Sequence, residues 1–564
     1  MSDDSGPGLS RRQTIAAGTS GLIAAMPRES AGGRPEGADG TPEQIHLSWA
    51  DDPARSVVVS WASPGQAVGP RVRIGQRVIP AAERAVPAVG GAVSWTYHAR
   101  VDGLRPGATY AYAVTGDNDA NAADPFSATF TTAPDGRAAF RFTSFGDLAA
   151  PGTGWRGLAS RVGYAVGAVE TFQPLFHLLN GDLTEAGPVP DGQPEAWRDL
   201  GNQVQTSAAY RPWLPVPGGH GVAAGLDDQA AASFLTRYTL PPNGADGLDG
   251  RWYAFRVGTA LFVCLSGDDV AYEGASARGY SGGAQTSWLE ATLAAARGDA
   301  SVDWIVVQLH QCACSSGAPG SVSDLGIRRE WLPLFDTYEV DLVLSGHDHG
   351  YERSFPVRGC DPGAGTDTLT GATVDTRRPH PVTAMDSGVF DTSQGTVHLV
   401  LGCGGTTNPT DPTAPPAALR TARVLTRPAG PVPGARVPGD EVPGRVTDGG
   451  GAGPDGAGPG AALPGGDAVE AAPWSARRVD APGYAIAVFD VSPGSEAGGQ
   501  TSVTVCCYRA AGPDPLGRSA GEPGEAADDY AVFEAFTLVR PRSDGRRWHP
   551  RPLAAGWATL RPVP

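Results

Sequence analysis

The sequence predicts an α/β (α+β) chain in which an N-terminal β-sandwich precedes an α/β layered domain. Three observations carry that expectation. Of 564 residues, 78 are Gly and 51 are Pro, nearly twice the usual share of about 12%, which argues against a helical bundle. Between 41 and 134, short alternating strands are separated by turn residues. From 139 onward, apolar strands alternate with segments of helical spacing.

In chain order, the N-terminus reads Ser10-Arg11-Arg12-Gln13-Thr14-Ile15 and continues into a mild apolar run to Met26. A twin arginine before a short apolar stretch is the pattern of a bacterial export signal for folded proteins, so 1–40 is assigned to signal and linker and the mature chain to the cell envelope or exterior. No later run approaches the roughly 18 apolar residues of a membrane span.

Within 41–134, Ile45 to Trp49, Val57 to Trp61 and Thr109 to Val114 alternate as half-buried strands do. Leu104-Arg105-Pro106-Gly107-Ala108-Thr109-Tyr110 resembles the corner of fibronectin type III domains, and such a module serves as spacer or shield. In the next domain, strands are expected at Phe140 to Phe145, Leu175 to Leu179, Leu261 to Leu265, Trp304 to Leu309 and Val340 to Leu344. Later ones follow at Gly395 to Gly402 and Tyr484 to Val491. Leu158, Val162, Val166 and Val169 recur at helical spacing, and a helix is expected from Gln285 to Arg297, burying Trp288, Leu289 and Leu293. Residues 408–470 hold too few large apolar side chains to offset their ordering entropy and read as a disordered insertion.

Composition narrows the chemistry. Acidic residues number 60 and basic ones 43, for a net charge of −17, which disfavours polyphosphate backbones and hence nucleic-acid binding. Every basic residue is Arg, and the chain has no Lys. That excludes a Walker-A loop, a Schiff base and a Ser–Lys pair, each of which needs an amine. The seven cysteines form no CxxC pair. Cys312-Ala313-Cys314 lacks the second knuckle that structural zinc requires, so buried or singly paired cysteines are expected.

Five segments place metal-ligand residues after strands: Gly146-Asp147, Gly181-Asp182, Gly218-Gly219-His220, Val307 to His310 and Gly346-His347-Asp348-His349. Strand ends gather at one sheet edge in α/β proteins. Two carboxylates and four of the ten histidines meeting there suit divalent or trivalent metals with mixed N/O ligation. In His347-Asp348-His349, a spacing of two sets both imidazoles on one side of an extended segment. His177 is read as an ordinary core histidine. Gly279-Tyr280-Ser281-Gly282-Gly283 fits the GxSxG pattern but lacks the preceding strand of a nucleophile elbow, and Gly402-Cys403-Gly404-Gly405-Thr406 reads as a tight turn beside the site.

The order of these motifs resembles the metallophosphoesterase superfamily, and Gly346 to Arg353, with the sandwich in front, is similar to purple acid phosphatases. The resemblance spans about 41–405 and 473–541. It implies a two-sheet αββα domain over 139–407, completed by 471–542, with a tail at 543–564. It further implies a binuclear centre of iron with zinc, manganese or a second iron. Asp147 and His349 hold the first metal, Asp182 bridges, His310 and His347 hold the second, and His220 protonates the leaving oxygen. Arg353 is expected as an ion-paired structural residue behind the metal loop. The implied reaction is hydrolysis of phosphorylated small molecules, monoesters first and diesters as the alternative, by a hydroxide formed between the two cations.

Two positions depart from the family pattern. Glu185 stands where the family has the Tyr phenolate that binds iron, and Gly219 where it has a ligating Asn, leaving a weaker second site. A carboxylate still ligates a hard cation, but without phenolate-to-iron charge transfer the iron-loaded protein is expected to be colourless. Visible absorption of purified protein checks this, and an intense iron–phenolate band would contradict it. The altered ligands also leave a second reading, in which the fold persists as a catalytically impaired binding protein. Asp227 or Asp228 is a candidate replacement for the missing amide.

Overall fold

The computed structural model describes residues 40–87, 93–121, 124–148, 159–184, 193–218, 227–273, 277–317, 323–405, 420–427, 466–480, 484–510 and 530–557. The twin-arginine segment, Glu185, Gly219 and His220 lie outside them. In the N-terminal sandwich, one four-stranded sheet contains Glu43–Ser48, Val57–Ser63, Val93–Val101 and Ala82–Pro87. The other contains Arg77–Pro80, Arg71–Ile74, Thr109–Thr115 and Phe126–Thr131. Alternation puts Val57, Val59, Trp61, Tyr97, Tyr112 and Phe130 in the shared core. Tyr110 Oη accepts a hydrogen bond from Arg105 N at 2.8 Å and pins the corner of the Leu104 to Tyr110 segment.

The second part holds two seven-stranded sheets face to face. In one, Phe140–Phe145 pairs in parallel with Phe176–Leu179 and antiparallel with Ala485–Ser492. In the other, Ala260–Cys264, Trp304–Gln308, Leu342–Ser345 and Val397–Leu401 run parallel. Strands covered on both faces must be apolar throughout, and these read as near-continuous apolar runs. Aromatic rings fill the layer between the sheets: Phe142 stacks on Phe489 with centroids 4.4 Å apart and meets Phe262 edge-on at 5.1 Å.

Helices cover the outer faces, giving the αββα order. Ala159–Phe172 lies on the first sheet, where Val166 and Val169 are buried and Phe172 meets Tyr508. Ala284–Gly298 lies on the second, with Leu289 and Leu293 fully buried. Trp288 is only half-buried, and its Nε1 donates to the Asn243 carbonyl. Gly283 begins this helix at φ +86°, a conformation that favours glycine.

Two expected boundaries shift. Thr421–Leu425 lies inside the stretch read as disordered, yet it is a strand paired antiparallel with Asp467–Ala471. Ala422, Val424 and Leu425 are buried, a short apolar pattern masked by the Pro- and Gly-rich flanks. The stretch read as a tail also packs. Trp557 is buried and donates from Nε1 to Asp336 Oδ2 at 2.5 Å, while the Ala555 carbonyl accepts from Cys360 N. Two tryptophans nine residues apart, Trp548 and Trp557, give no periodic signal among Arg and Pro, so sequence alone does not place them.

All seven cysteines are unpaired and six are buried. Ser281 Oγ donates to Asp269 Oδ2 at 2.6 Å and accepts from Gln285 N. It serves the start of the helix, and the residues before it form turns rather than a strand.

Candidate metal centre

The site forms where strands from both sheets end. Gly146 N donates to the Leu401 carbonyl, Asp147 N to the Gly181 carbonyl and Gly346 N to the His310 carbonyl. Five strand ends are thereby tied in two groups. Asp147, Asp182 and His347 all have positive φ, at +58°, +46° and +68°. Non-glycine residues seldom adopt that conformation, and such strain clusters at functional sites.

The glycines of the motifs make room. A Cβ on Gly181 would lie 2.6 Å from His310 Nδ1, and one on Gly346 would lie 2.4 Å from Asp147 Oδ2. On Gly218 it would lie 2.0 Å from Asp182 N, and on Gly402 3.0 Å from Asp147 Oδ2. The glycines before these polar residues therefore let backbone and ligand-type side chains approach within van der Waals distance.

Asp147, Asp182 and His310 are buried, and one donor atom from each lies within 4.8 Å of the others. His310 Nδ1 donates to the Asn180 carbonyl at 3.0 Å, which turns Nε2 toward the centre. That Nε2 is buried 3.3 Å from Asp182 Oδ1 and forms no hydrogen bond. A ring nitrogen fixed by a carbonyl on its far side is the usual support of a metal-binding imidazole. Burial alone would lower the His310 pKa, but the Asp182 charge outweighs it and holds the group at about 10. The pocket thus attracts positive charge, and a proton bound there gives way to a cation. The residues present fit a metal.

The other predicted ligands surround this trio. His349 Nε2 is 3.5 Å from Asp147 Oδ1, and Asp147 holds its pKa up against the effect of burial. His347 N donates to both Asp147 oxygens at about 3 Å, and its ring centroid is 5.2 Å from that of His310. Glu185 and His220 are outside the described residues. Asp227 and Asp228 open the helix Asp227–Arg237, and their side chains are outside them too.

Several supports carry no local motif. Arg478 Nη1 bridges Asp348 Oδ2 at 2.9 Å and Glu352 Oε2 at 2.8 Å, and Ser315 Oγ donates to Asp348 Oδ2. Together they hold the middle of the His347-Asp348-His349 loop from behind. Cys312 Sγ donates to the Gly346 carbonyl at 3.0 Å. Arg353 Nε donates to Glu534 and Nη2 to Asp386, and its guanidinium lies over the Phe390 ring; it anchors the strand after the loop. Buried Asp268 accepts from Gln311 Nε2 at 2.6 Å; burial raises its pKa and the nearby His310 lowers it. His177 is an ordinary core group: it is fully buried, with Nδ1 on Thr143 Oγ1 at 2.9 Å. Gly405 N donates to the Asp147 carbonyl, so the glycine-rich turn after Val397–Leu401 flanks the centre.

Residues 42–133 match the family model described as the purple acid phosphatase N-terminal domain, and residues 140–351 match calcineurin-like phosphoesterase. An uncharacterised protein of Mycobacterium tuberculosis is 35% identical over 94% of this chain and 93% of its own length. Purple acid phosphatase 1 of Ipomoea batatas is 26% identical, over 56% of this chain and 64% of its own. A purple acid phosphatase from yellow lupin seeds shares the fold with a TM-score of 0.56 at 15% identity, covering 90% of this chain and 75% of that structure.

Proposed function

The chain belongs to the purple acid phosphatase family of metallophosphoesterases, and from that premise we propose that it hydrolyses phosphate monoesters of small molecules at a binuclear centre. The observation that carries this reading is the meeting of Asp147, Asp182 and His310 at the joined strand ends, with the orphaned His310 Nε2 aimed among them. Asp147 and His349 would hold the first cation, His310 and His347 the second, and Asp182 would contribute to both. Iron with zinc, manganese or a second iron is the proposed pair. When bound, two such cations polarise the phosphoryl oxygens and acidify a water for in-line attack.

The chain's own residues set the geometry. The Asn180 carbonyl fixes the His310 ring, and the Asp147 carboxylate receives the His347 amide, so the two loops are locked to each other. By the family pattern, Glu185 would add a ligand to the first cation and His220 would protonate the leaving oxygen.

The test is metal content together with p-nitrophenyl phosphate turnover, wild type against His310→Ala. Loss of a supporting group behind a ligand typically costs 10- to 100-fold, so removal of the ligand itself should lower turnover by more than about 100-fold. Wild-type protein with less than one metal per chain and no turnover would instead favour the binding-protein reading. Faster turnover of bis-p-nitrophenyl phosphate would favour diesters.

Export through Arg11-Arg12 is part of the proposal. Seven unpaired cysteines suit a chain that folds in a reducing compartment before it crosses a membrane. Replacing both arginines with lysine should leave the protein inside the cell, and undiminished appearance outside would refute this route.

A further inference from the structure

We propose that Glu273 is a protein ligand of the second cation, taking the place that Gly219 leaves without an amide. The inference rests on the binuclear reading above and adds to it a residue that no motif marks.

Glu273 lies on the loop that follows the short helical turn Gly267–Asp269. Its backbone is held in place: Glu273 N and Tyr272 N both donate to Asp324 Oδ2, at 3.1 and 2.8 Å, while Asp324 Oδ1 caps the next helix through Ile327 N. The loop therefore delivers its side chain from a fixed point. Glu273 Oε2 comes within 3.3 Å of His347 Nε2, which is buried and forms no hydrogen bond. The neighbouring His310 is fully buried, and its Nε2 is likewise without a hydrogen bond. Asp182 thus stands against one imidazole nitrogen and Glu273 against the other, on rings whose centroids are 5.2 Å apart.

Each carboxylate–imidazole pair has the spacing of adjacent ligands. With metal–ligand bonds of about 2.0–2.2 Å, ligand atoms around a tetrahedral ion lie about 3.4 Å apart. Both carboxylate–imidazole pairs, Asp182–His310 and Glu273–His347, stand at 3.3 Å without hydrogen-bond geometry. Asp268, the other carboxylate nearby, is engaged by the Gln311 amide. Glu273 remains about one-third exposed, so it leaves the open side of the centre accessible to substrate.

The test uses the full chain, stripped with a chelator and titrated with Zn²⁺ alone, with bound metal counted by elemental analysis and affinity measured by calorimetry. Wild type should bind two ions. Glu273→Ala should retain the first and lose the second, or bind it at least about 100-fold more weakly. Glu273→Gln, which restores an amide oxygen of the same reach, should recover part of the loss. Melting of the stripped proteins checks folding, and if Glu273→Ala is unstable, Glu273→Gln against Glu273→Asp carries the comparison. Two ions bound by Glu273→Ala with wild-type affinity would overturn the assignment and direct attention to Asp227 or Asp228. Fewer than two ions in wild type would overturn the binuclear reading itself.

Discussion

Gly181→Ala is expected to abolish turnover and metal binding while leaving most of the fold in place. The added methyl would sit 2.6 Å from His310 Nδ1 and 2.7 Å from its Cβ and Cγ, distances that no side-chain rotation relieves because His310 is itself fully buried. The ring must then leave the Asn180 carbonyl, and its Nε2 leaves Asp182. Gly181 also has φ +82°, which costs an alanine about 1–2 kcal/mol. The destabilisation should therefore be modest and the functional loss large, above about 100-fold by comparison with the effect of losing a mere supporting group. Circular dichroism and metal analysis separate the two. Wild-type kcat/KM with full metal content in Gly181→Ala would show that the strand ends do not build the site as described.

The second large effect lies far from the chemistry. Asp341 is completely buried between two arginines. Arg297 Nη2 donates to its Oδ2 at 2.5 Å, and Arg540 Nη1 donates to its Oδ1. Thr392 Oγ1 and Ile305 N satisfy the remaining capacity. Asp341→Ala leaves two buried guanidiniums without their shared partner, and breaking a buried pair costs about 3–5 kcal/mol. Burial by itself would raise the Asp341 pKa, yet Arg540 and Arg297 outweigh it and depress the group below its ordinary value. A depressed carboxylate contributes stability that is fully present above the unfolded pKa and is lost as pH falls through the folded one. The penalty of Asp341→Ala should accordingly be complete at neutral pH and shrink only in strong acid. Denaturant unfolding of both proteins across pH decides this, and a difference below about 1 kcal/mol at pH 7 would contradict it.

The sequence is legible where chemistry and chain path coincide. Phe140 to Phe145 places its aromatics at alternate or terminal positions and Trp304 to Val307 is an apolar run, and each is followed within a few residues by a ligand-type side chain. Asp147, Asp182 and His310 were therefore readable, since strand end and ligand are neighbours in the chain. Arg478 was not, because it reaches Asp348 across 130 residues, and no local spacing records such a pairing. Glu273 escaped for the same reason: it follows a polar loop, and only the fold sets it against His347. Thr421–Leu425 was lost because five residues among prolines carry too short a pattern, and its partner, Asp467–Ala471, lies beyond a long Gly- and Pro-rich stretch. The expected roles of Glu185 and His220 remain proposals from the family pattern.

Trp49 sits in the sandwich by sequence but not by packing. Its ring is buried against Phe176 and Phe255, with centroids 5.3 and 5.4 Å away, while Ala209 belongs to the sandwich core and its carbonyl accepts from Tyr112 Oη. Each module has lent the other part of its interior. Cutting the chain near 134 would open a wound on both pieces, so the front module cannot be excised as an independent appendage. Heating the intact protein should produce one calorimetric peak, with both modules melting as a single cooperative body.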